Sequence, residues 1–144
     1  MPEQIIDAGR LWRGAIATAL VAIGVALVGS LIIRGLLDIK LVRRTDDGDF
    51  VQATTGWYVG AAIIGTILAT GLLHALMSLT PAPFRFYGWI TGLAIVATAI
   101  VPWTLDATNE TKIATSLLNI AIGACIATLV SGIGRTAVLR RRMT

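Results

Sequence analysis

No aspartate, glutamate, lysine or arginine lies in the middle of any of the four long apolar runs of this sequence. A proton antiporter driven by an intramembrane carboxylate therefore lacks its carrier group. The chain has one histidine, His74, and one cysteine, Cys125. A lone cysteine cannot close an intrachain disulfide or supply a CxxC or zinc site. In mid-run it reads as a small core residue. A lone histidine leaves no bis-histidine haem ligation within one chain. No aromatic ring occupies the middle of a run, so no haem or flavin pocket is walled by central rings. No Ser/His/Asp set, paired carboxylates or metal cluster emerges from the spacing. Nothing here points to an enzyme or to a bound cofactor.

Charge is scarce as well. Charged residues make up 14% of the chain, against roughly 25% in an average soluble domain. What fills the sequence instead is hydrocarbon, with 56% of residues apolar. The apolar runs cover residues 11–33, 57–79, 86–105 and 113–133. At about 1.5 Å per residue the first is about 34 Å long, enough for a hydrocarbon core of about 30 Å. The pattern predicts an all-α integral membrane protein: one four-transmembrane-helix bundle, with almost the whole chain used in crossing. Basic residues precede the first run, as they do in a signal peptide. The run is too long for an h-region of about 7–15 residues and reads as a retained span.

The aromatics mark the same limits independently. Trp12, Trp57, Tyr58, Phe84, Phe86, Tyr87, Trp89 and Trp103 all lie near run ends, as in an interfacial belt. The net charge is +4, and the basic residues sit beside the spans. That placement serves orientation and anionic headgroups rather than nucleic acid. Arg10, Arg13, Arg85, Arg135, Arg140, Arg141 and Arg142 fall on the side of the termini. Arg34, Lys40, Arg43, Arg44 and Lys112 fall on the other. Seven against five favours cytoplasmic termini.

Between the first two runs, residues 38–41 alternate in polarity and Val42 follows. Asp46, Asp47, Gly48 and Asp49 then supply turn chemistry, and residues 50–55 are β-prone. The 34–56 segment reads either as a short extracytoplasmic β-hairpin or as an irregular loop. Its aspartates lack EF-hand spacing and the terminal Glu, so no metal is assigned. Thr80-Pro81-Ala82-Pro83 ends the second span. The short connection makes the second and third spans antiparallel neighbours. The late Pro102 is expected to kink the far end of the third span. Asn109-Glu110-Thr111 matches a glycosylation sequon and is read as a helix cap, with Glu110 in the first turn.

Residues four apart share one helix face. On the first span Gly14, Thr18, Ala22, Ala26 and Ser30 form a small stripe. On the second, Ala62, Thr66, Thr70, His74 and Ser78 form a polar one, opposite Ile63, Ile67, Leu68 and Leu72. On the fourth, the stripe is Thr115, Asn119, Gly123, Ala127 and Ser131. Such stripes are expected to meet protein, and the hydrocarbon faces to meet lipid. Gly56, Gly60, Gly88, Gly92 and Gly123 are the expected packing glycines, Gly88 and Gly92 forming a GxxxG pair. The candidate polar sites inside the membrane are Thr66, Thr70, His74 and Asn119. His74 lies roughly 7 Å from its span end. A histidine there serves as a relay or substrate residue, reaches headgroups, or bonds a neighbouring helix. Asn119 carries an amide that needs a partner, either another helix or a ligand.

Four spans, a tight proline turn in the middle and a polar turn into a last span containing residues 116–123, Ser-Leu-Leu-Asn-Ile-Ala-Ile-Gly, make a familiar pattern. The chain resembles a domain-of-unknown-function family of small four-span membrane proteins from actinobacteria, over residues 11–136. The resemblance implies this architecture and a bacterial plasma membrane, and carries no activity. In that family a histidine is common where Asn119 stands here, so no histidine-based role is carried over to Asn119.

The reading that follows is a non-enzymatic accessory or scaffold subunit of a membrane complex, or a self-associating bundle. Its partners would be the lipid bilayer and other membrane subunits or itself. The alternative is a small transporter or channel whose pathway is lined by Thr66, Thr70, His74 and Asn119. Stripes around a wet cavity would favour the second reading, and dry close packing the first.

Overall fold

A computed structural model describes residues 7–139; Arg140, Arg141 and Arg142 lie outside the described residues. Helix α1 (Ala8–Leu31) starts where Asp7 Oδ1 accepts a hydrogen bond from Arg10 N at 3.0 Å. It continues into a wide π-helical turn, Ile32–Leu36. Two short strands follow, β1 (Val42–Arg44) and β2 (Phe50–Gln52). They pair antiparallel, with Val42 opposite Gln52 and Arg43 opposite Val51. The hairpin is therefore real. Its first arm lies later than the 38–41 alternation, however, because pairing must be symmetric about the Thr45–Asp49 turn. There Gly48 takes φ 87°, and its N–H donates to Thr45 O at 3.0 Å. Glycine carries no Cβ to penalise that left-handed conformation.

Helix α2 (Thr55–Leu79) is capped by Thr54, whose Oγ1 accepts from Trp57 N at 3.2 Å. Pro81 and Pro83 separate it from α3 (Pro83–Ile100), where Pro83 takes a first-turn position that needs no N–H donor. Pro102 breaks the regular helix at its far end, as its late position leads one to expect. The α-helix stops at Ile100 and tightens into a 3₁₀ turn, Val101–Thr104. Helix α4 (Asn109–Leu139) runs past Ile133 to Leu139. Its cap is Thr108, whose Oγ1 accepts from Thr111 N at 3.4 Å, so Asn109 is the first helical residue rather than the cap.

The four helices are long and apolar enough to cross a membrane. Helix α1 packs on α2 and α4, and α3 packs on α4 and α2 from the other side. Buried Ala22, Ala26, Ala62, Leu73, Leu118 and Val130 belong to one continuous core. Leu41 and Ala53, the residues flanking the hairpin strands, are fully buried and close the core at its loop-side end. Ile16, Leu20, Ile64, Leu68, Trp89, Leu93 and Val96 are exposed. Exposed hydrocarbon in this quantity is what a lipid-solvated surface requires.

Candidate functional site

The α1 and α2 stripes become the buried interior. Thr18, Ala22, Ala26 and Ser30 of α1 are buried, as are Ala62, Thr66 and Thr70 of α2. Thr66 Oγ1 donates to Ala62 O at 2.7 Å, a bond within its own helix. Thr70 Oγ1 is buried and has no partner among the described residues. Neither threonine lines the cavity between α2, α3 and α4.

His74 lies apart from them. It is half-buried where the α2 stripe leaves the interior, and Leu73 and Met77 take the buried positions. Its carbonyl accepts from Ser78 Oγ at 3.1 Å, and its ring has no hydrogen bond among the described residues.

Thr115 at the start of the α4 stripe is buried, but the rest of the stripe is displaced from the core. The buried line on α4 is Leu118, Ile122, Ile126 and Val130, and Asn119, Gly123, Ala127 and Ser131 lie beside it, only half-buried. Large side chains there match small residues on the helices opposite. A Cβ added at Gly29 would lie 2.5 Å from Leu118 Cδ1, and one at Gly14 would strike Ile133. A small stripe packs best against a bulky partner, since the backbone approach it allows is filled by the neighbour's side chain.

Asn119 faces α3. Its Nδ2 donates to Thr98 O at 2.9 Å. Thr98 is four residues before Pro102, whose missing N–H would otherwise bond that carbonyl. The amide on α4 thus satisfies the acceptor that proline frees on α3. One turn earlier, Ser116 Oγ donates to Ala99 O at 2.7 Å and accepts from Trp103 Nε1 at 3.1 Å. These bonds hang the loop-side end of α3 on α4.

Of the packing glycines, Gly123 meets Ile95 of α3, with 2.7 Å from an added Cβ to Ile95 Cγ1. Gly60, Gly88 and Gly92 have open space at that position, and Gly56 meets only its neighbour Thr54. Close approach within the chain occurs instead at Gly14, Gly29, Gly123 and Gly134. The GxxxG face of α3 points away from the other helices of its own chain, because Tyr87 is the buried residue of that helix.

A cavity of about 380 Å³ lies between α2, α3 and α4 and opens sideways. Gly65, Ala94, Ile95 and Ile126 are among its lining residues, and the lining is mostly apolar, with Tyr58, Thr91, Thr98 and Asn119 adding polar groups. Thr66, Thr70 and His74 do not reach it. Of the four candidate polar residues, Asn119 alone lines this cavity.

One group that sequence reading left among the flanking charges sits at the loop-side end of the interior. Arg34 continues the Gly14-to-Ser30 stripe by one more step of four, and the stripe's spacing would have found it. Its Nε and Nη2 are buried and have no hydrogen-bond partner among the described residues. The Tyr58 hydroxyl faces Arg34 and Thr115, and approaches the Thr115 hydroxyl without completing a hydrogen bond. Nearby, the Arg43 guanidinium stacks 4.6 Å from the centre of the Trp57 ring. Among the described residues no three His, Cys, Asp or Glu converge.

Fold and site together define a small multi-pass four-helix membrane protein. The chain belongs to a family of unknown function (DUF6069), whose model matches residues 6–142. No curated protein matches the sequence, and no solved structure does.

Proposed function

We propose that this protein is a non-enzymatic accessory or scaffold subunit of a membrane complex, or a self-associating bundle. It would sit in the plasma membrane with both termini in the cytoplasm. The observation that carries the reading is the burial of the α1 and α2 stripes in the packed interior. Thr66 and Thr70 are spent on the interior of the helix pair, and the sideways cavity is separate from them. A transport path would need these threonines, His74 and Asn119 on one wet surface. The unpartnered face of α3, with open space at Gly88 and Gly92, supports assembly with another membrane helix.

The test is native mass spectrometry of the protein released into mild detergent, paired with flux assays in proteoliposomes. The expected result is a mass above that of the 15.2 kDa chain and no flux above empty liposomes. A monomer that carries a flux, lost in His74→Gln, would overturn the reading. Orientation is tested separately, by external cysteine labelling on a Cys125→Ser background. A probe at exposed Asp47 should label in intact cells and one at Thr144 should not. The reverse pattern would invert the topology.

A further inference from the structure

The π-helical turn Ile32–Leu36 is the one place in the described spans where the helix widens, and it carries Arg34. Such turns re-aim a side chain and occur often at functional sites. Here the side chain ends with Nε and Nη2 buried and unmatched. Those two nitrogens form one edge of the guanidinium, the edge that donates two parallel hydrogen bonds to two oxygens of a single anion. Thr115 Oγ1 is a third buried, unmatched polar atom, and the Tyr58 hydroxyl faces both residues. Two buried guanidinium nitrogens without a partner are costly, and among the described residues no carboxylate pairs with them.

A second observation indicates what kind of anion. Tyr58 also lines the apolar cavity between α2, α3 and α4. Thr115 stands one helical turn from Asn119, another lining residue. The cationic corner and the sideways-open groove are therefore contiguous through Tyr58 and α4. Arg34 lies near the end of the apolar segment Ala8–Leu36, where a span of this length is expected to reach the headgroups, and the groove runs from Tyr58 along Gly65, Ile95 and Ile126. A phosphodiester has one negative charge and two free oxygens, which matches one guanidinium edge. An acyl chain matches the groove.

We propose that Arg34, Tyr58 and Thr115 hold the phosphate of a membrane phospholipid at the loop-side end of the bundle, with one acyl chain lying in the groove between α2, α3 and α4. This site does not depend on the accessory reading above.

The experiment is native mass spectrometry of the full chain in an uncharged detergent, titrated with phosphatidylglycerol, with diacylglycerol of the same chains, and with inorganic phosphate. The wild-type protein should retain phosphatidylglycerol about tenfold or more better than diacylglycerol, the scale of hydrogen bonds to a charged group. Inorganic phosphate should displace it only at far higher concentration. Arg34→Gln should lose that preference, and Arg34→Lys, which keeps the charge but not the fork, should fall between. Ala94→Phe, which narrows the groove, should weaken phosphatidylglycerol and leave inorganic phosphate binding unchanged. Equal retention of the two lipids by the wild-type protein would overturn the proposal, and that comparison needs no variant to fold. Inorganic phosphate competing as well as phosphatidylglycerol would overturn it too, by showing a site for the free ion alone.

Discussion

On the α1 flank the helices meet through small side chains. Ala22, Ala26 and Ala62 are fully buried, and bulky residues of α4 fill the hollows they leave. On the α3 flank contact is made largely by polar bridges. Asn119 and Ser116 bond main-chain carbonyls of α3, Gly123 admits Ile95, and a groove of about 380 Å³ stays open beside them. The same helix, α4, serves both flanks with adjacent faces. Close packing leaves no room for a ligand, whereas polar bridging fixes a helix at a few points and leaves space between them. A small bundle can thus be tightly filled on one flank and leave open space on the other.

The largest effect should come from overfilling the tight flank. Ala22→Leu should destabilise the protein by about 1–3 kcal/mol, as overpacking of a full core does. Gly92→Leu should be nearly silent in the isolated chain, since nothing lies within 4 Å of an added Cβ. Unfolding in mixed micelles reads both. Equal losses would erase the distinction between the flanks. Should Gly92→Leu dissolve an assembly while sparing the fold, the α3 face is the contact surface.

A smaller effect tests the bridges. Asn119→Leu should cost about 0.6 kcal/mol, the average for hydrogen bonds between membrane helices. Pro102→Ala restores an N–H that can reach Thr98 O, so the double variant should lose less than the sum of the single changes. Strict additivity in that cycle would show that Asn119 does not serve the carbonyl freed by proline.

The smallest effect belongs to His74. With no ring partner among the described residues, His74→Gln and His74→Leu should both stay within about 0.5 kcal/mol of wild type. A loss beyond about 1 kcal/mol in His74→Leu, rescued in His74→Gln, would reveal a hydrogen bond to another chain or to lipid.

Much of this architecture can be read from the sequence. Length, hydropathy and the belt of Trp and Tyr place the spans, and the α1 and α2 stripes mark buried faces because small residues there repeat every four positions. The α4 face was not readable in the same way. Its small stripe is as regular as that of α1, yet the buried line is Leu118, Ile122, Ile126 and Val130. Periodicity tells which residues share a face, but not which face of a neighbour they meet, and a small stripe calls for a large one opposite. The Gly88 and Gly92 pair misleads about packing inside the chain for a related reason, since a GxxxG motif states that close approach is allowed and not who approaches. Asn119 announces its need for a partner, but the acceptor follows only when Pro102 is placed opposite it. Arg34 was hidden by its position at a span end, where basic residues usually serve orientation.

The central claim is that the polar stripes are dry. Cysteines placed singly at Thr66 and Thr70 on a Cys125→Ser background, and offered a small water-soluble thiol reagent in the intact membrane, test it directly. The account predicts that neither position reacts from either side while a cysteine at exposed Asp47 reacts readily. Reaction at both threonines at a rate near that of the Asp47 position would show a water-filled path through the bundle and contradict the account.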